Sequence, residues 1–314
     1  MGKVVVLAPV PAEVLGSQLE GHEVVAVDRD EDPAAACRGA DVCVADWTSH
    51  HRVAGPVVEA LRNTCRLVQV PAAGVDSVDV EACAAAGIPV ASCAGANAVA
   101  VGEWCLWAAL SALRGLVTSE RKLRTGEWEQ LGRARYELAG KVVGVVGMGD
   151  VGVEAARRFA AFGVDLRYWT RTRRPAALEE ELALTWTELD ELIPTVDVLV
   201  LAIALTADTR ELLDADLLSR MKPTAVVVNA ARGGVTDEAA LAEALADGRL
   251  HGAAVDVYTT EPPPPDHPLL EVETAVTTPH LAGATAESVG RILTRSIDNV
   301  RRALEGGEIP GRVS

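Results

Sequence analysis

Arg232, Glu261 and His280 are the residues of this 314-residue chain whose types and spacing best fit a catalytic site, because each follows a different short apolar run. An imidazole titrates near neutral pH, and a neighbouring carboxylate raises its pKa. A guanidinium fork matches a carboxylate and stabilises negative charge that develops on an oxygen. The set predicts proton transfer to a small carboxylate-bearing substrate, although a lone histidine after Pro279 is also compatible with a surface position. The three runs are Ala225–Asn229, Gly252–Val257 and Ala275–Thr278.

A glycine-rich turn, 147–152, reads Gly-Met-Gly-Asp-Val-Gly between the apolar run Val142–Val146 and a helical pattern over Val151–Phe162. In that strand–turn–helix context, G-x-G-x-x-G is the dinucleotide-binding fingerprint. The first glycine permits the tight turn, the second admits the pyrophosphate, and the third lets helix and strand pack closely. The first N–H groups of the helix are unpaired and face the phosphates. We therefore expect cofactor contacts at Gly147, Gly149, Asp150, Val151 and Gly152.

The residues after the next apolar run, Val164–Trp169, bear on which dinucleotide binds. An NAD site usually has an acidic residue here for the ribose 2′-OH. This chain instead has Thr170, followed by Arg171, Arg173 and Arg174. A guanidinium can hold a 2′-phosphate through two hydrogen bonds. These four residues predict NADP(H) in preference to NAD(H); the alternative is a solvated basic loop.

The elements that must position these residues alternate between Val-rich runs and longer Ala/Leu/Glu-rich stretches. This rhythm predicts βαβ units around parallel sheets, whose strands are buried on both faces. Helical patterns at Val53–Asn63 and Val78–Ala86 separate early strands, and six strands from residue 142 onward make one doubly wound domain. The predicted strands are Lys3–Leu7, Val24–Val27, Val42–Ala45, Leu67–Val70, Pro89–Ser92, Val142–Val146, Val164–Trp169, Val198–Ile203, Ala225–Asn229, Gly252–Val257 and Ala275–Thr278.

One long helical run, Ala98–Thr125, interrupts this rhythm and predicts a domain boundary near Asn97. A final helical pattern, Thr285–Leu304, follows the complete second sheet and is expected to return to the first domain. We therefore predict an α/β protein with two doubly wound parallel-sheet domains. One comprises residues 1–97 and 286–314, and the other, residues 98–285, is inserted into it.

Composition and charge exclude several classes of function. The chain has 29 Lys and Arg against 45 Asp and Glu, a formal net charge of −16 that disfavours nucleic acids and anionic membranes as partners. The opening MGKVVVLAPV lacks the features of a secretory signal, and no run reaches the ~18–20 apolar residues of a membrane span. Six scattered cysteines without a C-x-x-C pair favour buried thiols over disulfides or a metal site. These features predict a cytoplasmic protein.

Over essentially its whole length the chain resembles the D-isomer-specific 2-hydroxyacid dehydrogenases. The resemblance implies a Rossmann-type cofactor domain inserted into a flavodoxin-like substrate domain. The segments that carry it occur in the family's order. They are Ala73-Gly74-Val75-Asp76, Asn97–Glu103, Leu138-Ala139-Gly140-Lys141, the glycine fingerprint, Leu205-Thr206, Ala231-Arg232-Gly233-Gly234, Val255-Asp256-Val257, Glu261-Pro262 and Pro279-His280.

The resemblance also implies a role for each matching residue. His280 would be the general acid/base, Glu261 would hydrogen-bond its other ring nitrogen, and Arg232 would hold the substrate carboxylate and polarise the keto oxygen. Asp256 would bind the nicotinamide carboxamide. Backbone N–H groups around Ala73 and Gly74 would meet the substrate carboxylate. Further cofactor contacts fall on Thr206, Ala230, Ala231 and Gly283.

The expected substrate is a small 2-keto acid such as glyoxylate or hydroxypyruvate. The formate dehydrogenases of the family have Gln in place of Glu261, and the phosphite dehydrogenases have Lys in place of Ala73. Phosphoglycerate dehydrogenases have a phosphate-binding Arg where this chain has Val70, and often carry regulatory domains for which 314 residues leave no room. The loop Asp46–Arg52 leaves two alternatives: His50, His51 and Arg52 either bind a second anionic group of the substrate or begin a helix on the surface.

Two other functions stay open at this point. One is a specialised biosynthetic dehydrogenase for an unusual or phosphonate-bearing 2-hydroxy acid, and the other is a non-catalytic protein like the C-terminal-binding corepressors. The resemblance further implies a homodimer formed through residues 98–138. That region includes the long helix and an arm, Leu123–Tyr136, with Trp104, Trp107 and Trp128 among its residues; an intramolecular core is the alternative.

Overall fold

The computed structural model describes residues 1–9, 15–48, 50–128 and 132–313. Its contacts divide the chain into two compact units. One unit comprises Met1–Asn97 and Ala286–Ser314, and the other comprises Ala98–Thr285.

The first unit is built on a five-stranded parallel sheet with the strand order β2-β1-β3-β4-β5. This is the order of flavodoxin-like doubly wound sheets. Its central strands are buried on both faces, which explains their uniformly apolar sequence. The strands are β1 (Lys3–Val6), β2 (Glu23–Ala26), β3 (Val42–Val44), β4 (Leu67–Gln69) and β5 (Val90–Ala91), and the helices between them are α1 (Pro33–Cys37), α2 (Pro56–Leu61) and α3 (Val80–Ala85).

The second unit has a seven-stranded parallel sheet with the order β12-β11-β10-β9-β6-β7-β8, a Rossmann-type order extended by one strand. The predicted fold class is therefore confirmed. The strands are β6 (Val142–Val146), β7 (Asp165–Trp169), β8 (Leu184–Trp186), β9 (Val198–Leu201), β10 (Val226–Asn229), β11 (Gly252–Val255) and β12 (Ala275–Thr277). The helices are α4 (Ala98–Arg114), α5 (Leu116–Arg124), α6 (Asp150–Ala160), α7 (Ala176–Leu182), α8 (Leu189–Leu192), α9 (Ala215–Ser219), α10 (Glu238–Ala246) and α11 (Pro268–Glu271).

The expectation of six strands in this sheet was wrong, because it missed β8. This edge strand pairs only with β7 and has three residues, of which Leu184 is buried and Thr185 is exposed. A strand with a single buried side chain has no continuous apolar run to identify it.

The single helix predicted over 98–125 was also wrong. The chain breaks at Gly115, whose φ of 59° is in the left-handed region, and α4 and α5 meet there at a bend of 63°. The two helices differ in burial. Trp104 of α4 is 7% exposed and packs in the core of the second unit, whereas α5 has no buried residue.

The last helix, α12 (Ala286–Glu305), packs on the five-stranded sheet. Val300 and Ala303 join the core formed with Val4 and Val6, and Asn299 Nδ2 donates to Gln69 Oε1 at 2.8 Å. The chain thus returns to its first unit after completing the second.

All six cysteines are buried and unpaired, as predicted for buried thiols. Among the described residues no group of three or more His, Cys, Asp and Glu side chains is arranged to hold a metal ion. No single described helix is both long and apolar enough to cross a membrane, and only the bent pair α4 and α5 reaches that length and composition when taken together.

The left-handed conformation of Gly115 leads to a prediction about stability, for which a glycine inside a helix, Gly290, provides the control. Gly115→Ala meets no steric obstacle, but it places a Cβ on a left-handed residue and should lower the free energy of unfolding by about 1 kcal/mol. Gly290→Ala, in the exposed helical turn of α12, should instead raise it by roughly 0.5–1 kcal/mol. Urea unfolding of the two variants measures both effects. A change of the same sign in the two free energies of unfolding would contradict the assignment of Gly115 to a left-handed break.

Candidate active site

Arg232, Glu261 and His280 lie beyond the carboxyl ends of β10, β11 and β12, respectively. These strands are consecutive neighbours in the seven-stranded sheet. The carboxyl ends of parallel strands meet at one edge, which is where open α/β sheets bind ligands. The structure therefore brings the three predicted catalytic residues together.

His280 and Glu261 form a hydrogen-bonded pair, with 2.7 Å between His280 Nδ1 and Glu261 Oε2. The hydrogen bond to Glu261 raises the pKa of His280 above its ordinary value, although burial and the charge of Arg232 act in the opposite direction. Burial alone would raise the pKa of Glu261, but hydrogen bonds from His280 and from the Tyr258 N–H leave it below its usual value. The pair can thus hold a protonated imidazole beside a carboxylate near neutral pH.

The loop that carries His280 is fixed by the carboxylate of Asp256, which is 1% exposed. This carboxylate accepts hydrogen bonds from Thr278 Oγ1 and from the backbone N–H groups of Leu281 (2.9 Å) and Ala282 (2.8 Å). The His280 N–H donates to the Asp256 carbonyl oxygen at 2.8 Å. His280 itself has a φ of 51°, a left-handed conformation uncommon for residues other than glycine. The loop geometry therefore depends on Asp256, whose carboxylate already accepts three donors of the chain.

Arg232 is positioned by Asn229, the buried last residue of β10. Asn229 Nδ2 donates to the Arg232 carbonyl oxygen at 3.2 Å, and Asn229 Oδ1 accepts from the Ala231 N–H at 3.1 Å. Arg232 Nη1 donates to the Ala231 carbonyl oxygen at 2.7 Å. The guanidinium is near enough to Glu261 and His280 for its charge to lower the pKa of both.

Gly233 allows the Arg232 loop to pack against the loop that carries Glu261. A Cβ at this position would lie 2.0 Å from the carbonyl carbon of Tyr258, so no larger residue fits. Glu238, the first residue of α10, contacts the same loop. Its carboxylate accepts hydrogen bonds from the N–H and the hydroxyl of Thr259, and it pairs with His267 Nε2 at 2.9 Å.

Asn229 and Glu238 make positioning contacts that were not predicted from the sequence. Asn229 was seen only as the end of an apolar run, although an amide after four apolar residues is a usable signal. Glu238 gave no signal, because it lies in a helix at a distance in sequence from the loop that it supports.

The glycine turn 147–152 has the geometry that a dinucleotide site requires. Gly147 has a φ of 94°, and a Cβ there would lie 2.4 Å from the Ala202 carbonyl oxygen. A Cβ on Gly152 would lie 2.1 Å from the Gly147 carbonyl oxygen, whereas the space beside Gly149 is open. Gly149 is the N-cap of α6 and supplies no side-chain hydrogen bond, which leaves the first N–H groups of that helix to a ligand.

The arginine loop 170–174 lies next to this turn, since the Gly147 N–H donates to the Trp169 carbonyl oxygen at 2.9 Å. Arg171 makes one exposed ion pair with Asp208, at 3.4 Å. Arg173 instead donates through Nε and Nη2 to both oxygens of Glu179, each at 2.8 Å. The guanidinium of Arg173 and a hydrogen bond from Tyr168 lower the pKa of Glu179 to about 2. Of the three predicted phosphate ligands, Arg173 is thus already held by a carboxylate.

The remaining predicted cofactor residues lie in loops that follow the strands of the second unit. Thr206 follows β9 and donates its N–H to Thr209 Oγ1 at 2.7 Å. Ala230 and Ala231 follow β10, and Gly283 follows the His280 loop. Thr170 donates its hydroxyl to the Thr172 carbonyl oxygen at 2.8 Å.

Ala73 and Gly74 belong to the first unit, in the half-buried loop after β4. In the same unit, His51 Nε2 lies 3.1 Å from the Asp28 carbonyl oxygen, and His50 Nε2 lies 3.0 Å from that of Arg29. The helix start proposed for residues 50–52 was wrong, because α2 begins at Pro56. Ser49 of this loop lies outside the described residues.

Comparison with known proteins agrees with this architecture. Residues 106–282 match the model of the D-isomer specific 2-hydroxyacid dehydrogenase, NAD binding domain. The chain is 35% identical over 308 residues to a D-3-phosphoglycerate dehydrogenase of Mycobacterium tuberculosis, covering 98% of this chain and 57% of that protein. It is 33% identical to a glyoxylate reductase of Thermofilum pendens, covering 84% and 78% of the two chains. A solved glyoxylate reductase from Paecilomyes thermophila superposes with a TM-score of 0.89 at 29% identity, covering 99% and 98% of the two chains.

The chain therefore belongs to the D-isomer-specific 2-hydroxyacid dehydrogenase family, as the resemblance indicated. It spans about half the length of the phosphoglycerate dehydrogenases that it matches, between 49% and 57%.

The Glu261–His280 pair predicts the effect of a single substitution on titration. Glu261→Gln removes the anionic partner that raises the pKa of His280, so this pKa should fall to or below the ordinary histidine value. In the unaltered protein, the stability that the pair gives through His280 is fully present below the ordinary histidine pKa and is lost as the pH rises through the raised value. NMR titration of the labelled histidine ring measures the shift.

The matched control for this titration is Asp190→Asn, which removes an exposed carboxylate paired with Arg220 instead. It should leave the His280 titration where it is. An unchanged His280 pKa in Glu261→Gln, or an equal shift in both variants, would contradict the assignment.

Proposed function

We propose that this protein reduces a small 2-keto acid, such as glyoxylate or hydroxypyruvate, to the D-2-hydroxy acid with NADPH. The observation that carries the proposal is the His280–Glu261 pair, hydrogen-bonded at 2.7 Å at the same sheet edge as Arg232. A keto reduction needs one proton at the carbonyl oxygen, and this pair keeps a proton available there near neutral pH.

His280 acts as the general acid in this proposal. Glu261 accepts the hydrogen bond from Nδ1–H, so the proton on Nε2 is the one that faces a substrate. After transfer the ring is neutral, and the Glu261 carboxylate holds it in the tautomer that takes up the next proton at Nε2. General acid catalysis of this kind typically contributes ~10²–10⁴ in rate.

Arg232 binds the substrate carboxylate and polarises the keto oxygen. Its loop is fixed by Asn229 and packed against the Glu261 loop through Gly233, so the guanidinium approaches from a defined direction. From the family resemblance we also propose that backbone N–H groups around Ala73 and Gly74 bind the substrate carboxylate. Asp256 positions the His280 loop and, with its remaining acceptor capacity, also meets the nicotinamide carboxamide.

The cofactor is NADPH, which supplies the hydride when bound. The open space beside Gly149 and the uncapped start of α6 fit a pyrophosphate, with Asp150 and Val151 adjoining it. Thr170, Arg171 and Arg174 hold the 2′-phosphate. Exposed ion pairs such as Arg171–Asp208 typically contribute only about 0–1 kcal/mol to stability. Arg171 can therefore leave Asp208 and bind the doubly charged 2′-phosphate. Arg173 shapes the loop through Glu179 and contacts the phosphate only if it leaves that carboxylate. Thr206, Ala230, Ala231 and Gly283 line the rest of the cofactor site.

Phosphoglycerate oxidation is the second candidate, favoured by the 35% identity to the mycobacterial D-3-phosphoglycerate dehydrogenase over 98% of this chain. Against this candidate, Val70 stands where the resemblance implies a phosphate-binding arginine in the phosphoglycerate dehydrogenases. Arg52, which is exposed in the 46–52 loop, is the residue that we propose for that task. The same residue would serve a phosphonate-bearing substrate.

We also propose that the protein is a homodimer associated through α4, α5 and the arm that follows. Trp107, Leu123 and Trp128 are 44%, 56% and 75% exposed, so this region presents large apolar side chains that a partner could cover. Trp104 is buried and takes no part, and residues 129–131 of the arm lie outside the described residues. Light scattering should give a mass near twice 32.9 kDa, and a monomer would contradict the proposal.

A kinetic screen tests the proposed reaction. NADPH and NADH oxidation should be followed side by side with glyoxylate, hydroxypyruvate, pyruvate, 3-phosphohydroxypyruvate and a phosphonate-bearing keto acid. We expect turnover of the first two with NADPH, and a kcat lower by roughly 10²–10⁴ in His280→Asn. Activity confined to 3-phosphohydroxypyruvate would favour the second candidate. Cofactor binding without turnover of any keto acid would favour a corepressor-like function.

The same assay separates the cofactor site from the catalytic site. Arg174→Ser should raise the KM for NADPH roughly 10- to 100-fold and leave that for NADH nearly unchanged, because only NADPH offers the 2′-phosphate. Arg220→Ser removes an arginine that pairs with Asp190 of α8, away from the arginine loop, and serves as the matched control. A strong preference of the unaltered protein for NADH would overturn the NADPH assignment.

A further inference from the structure

A second histidine–carboxylate pair, Glu238 and His267, contacts the loop that carries Glu261. Glu238 is the first residue of α10, and His267 comes immediately before α11. His267 Nε2 lies 2.9 Å from Glu238 Oε2, and the two side chains are 10% and 12% exposed, respectively. A carboxylate buried to this extent needs hydrogen-bond donors of the protein to replace the water that it loses.

The hydrogen bonds of His267 fix which of its nitrogens carries the ring hydrogen. Nδ1 accepts from the Leu269 N–H at 3.3 Å and so caps α11. A nitrogen that accepts a hydrogen bond carries no hydrogen, so the ring hydrogen is on Nε2 and is donated to Glu238. His267 therefore approaches Glu238 as a neutral donor of fixed orientation.

Glu238 holds the backbone N–H group that comes directly after the one bound to Glu261. Glu238 Oε1 accepts from the Thr259 N–H at 2.7 Å and from the Thr259 hydroxyl at 3.0 Å. The preceding N–H, that of Tyr258, donates to Glu261 Oε1 at 3.0 Å. Because peptide groups are planar, only the two backbone dihedrals of Tyr258 separate these two N–H groups. A movement at the Glu238 contact is therefore passed on to Glu261.

The two oxygens of Glu261 connect this backbone to the imidazole. Oε1 accepts from the Tyr258 N–H, whereas Oε2 lies 2.7 Å from His280 Nδ1. The Glu261 side chain is 36% exposed, so packing alone does not confine it. Since a carboxylate is planar, the N–H that binds Oε1 also determines how Oε2 faces the ring.

The Tyr258 side chain joins the same loop to the segment that carries His280. It is 6% exposed, and its hydroxyl donates at 3.2 Å to the carbonyl oxygen of Thr278, two residues before His280. Its ring meets the His267 ring nearly at a right angle, with 5.5 Å between the centroids. Burial, followed by the charge of Asp256, raises the pKa of Tyr258 to about 12, so the hydroxyl keeps its proton near neutral pH and stays a donor.

We propose that Glu238, His267 and Tyr258 are positioning residues that hold Glu261 in the orientation in which it binds His280. The kinetic consequence of this arrangement rests on the proposed function. Its effect on the His280 imidazole does not, because that effect is present without cofactor or substrate.

The three positioning residues act on His280 through Glu261 and not through a charge of their own. The charges that shift the pKa of His280 are those of Glu261, Arg232 and Asp256. Loss of the Glu238 charge should therefore change this pKa only if the Glu261 carboxylate moves. The hydrogen bond to Glu261 raises the pKa of His280, so a looser bond should lower it.

NMR titration of the labelled His280 ring in the full chain tests the inference. Glu238→Gln has one acceptor oxygen where the carboxylate uses two, so the pKa of His280 should fall, by less than in Glu261→Gln. Adding Glu238→Gln to Glu261→Gln should cause no further fall, because the connecting carboxylate is already lost. Glu243→Gln removes an exposed carboxylate of the same helix, paired with Arg249, and should leave the pKa unchanged.

Two substitutions of His267 separate positioning from general stability. The amide nitrogen of His267→Gln can donate to Glu238 as Nε2 does, whereas His267→Leu has no donor, and both lose the cap of α11. We expect the pKa of His280 to stay near its original value in the first variant and to fall in the second. Tyr258→Phe keeps the ring and loses only the bond to Thr278, so it should lower this pKa by a smaller amount.

The kinetic consequence is measured with the keto acid and cofactor that the unaltered protein turns over. Glu238→Gln should lower kcat roughly tenfold and leave the KM of the keto acid nearly unchanged, because the imidazole is displaced while the substrate contacts remain. The fall of kcat at alkaline pH should begin at lower pH, since His280 loses its proton earlier. If no keto acid is turned over, the proposed function fails, and the NMR titration still decides the positioning role.

Two results would overturn the inference. One is an unchanged pKa of His280 in both Glu238→Gln and His267→Leu, with circular dichroism showing both variants folded. The other is an equal fall of this pKa on Glu238→Gln with and without the Glu261 carboxylate, because Glu238 would then act by its charge alone. If His267→Leu does not fold, Glu238→Gln and Tyr258→Phe decide the test in its place.

Discussion

The buried carboxylate of Asp256 is the group on which the candidate active site depends. It accepts hydrogen bonds from one hydroxyl and two backbone N–H groups of the loop that follows β12. These contacts hold His280 in a left-handed backbone conformation that its own preference disfavours. Loss of this acceptor would leave three donors to find other partners, at about 1–3 kcal/mol for each one that stays buried and unpaired. The position of the imidazole is therefore set by a neighbouring strand end and not by its own segment.

The same arrangement recurs at each strand end of the site. Asn229 folds the turn that carries Arg232, and Glu238 fixes the loop that carries Glu261. Each of the three predicted catalytic side chains is thus supported by a polar residue from another part of the second unit or from the preceding strand end. Such support matters because proton transfer requires distances close to those of a hydrogen bond, and a small displacement of the imidazole would weaken it.

The sequence was enough to predict the class of fold, the dinucleotide turn and the convergence of Arg232, Glu261 and His280. Each of these depends on local patterns: apolar runs, glycine spacing, and the rule that parallel strands end at one edge. The strand β8 and the break at Gly115 were missed, since a three-residue edge strand and one glycine in a helical pattern give weak local signals. The support from Glu238 was also invisible, because it joins residues 21 positions apart through tertiary packing.

Arg173 shows that residue type alone does not reveal whether an arginine is available to bind a ligand. Three arginines in five residues look equivalent in sequence, yet Glu179, nine residues after Thr170, binds one of them through both oxygens. In an acidic chain most exposed cations are expected to have a carboxylate nearby. The cations that indicate a binding site for an anion are therefore those without such a carboxylate. By this criterion the position of Arg174 says more about ligand binding than the net charge of −16 does. A net negative chain repels anions over most of its surface, so grouped guanidinium groups are the places where an anion would be favoured.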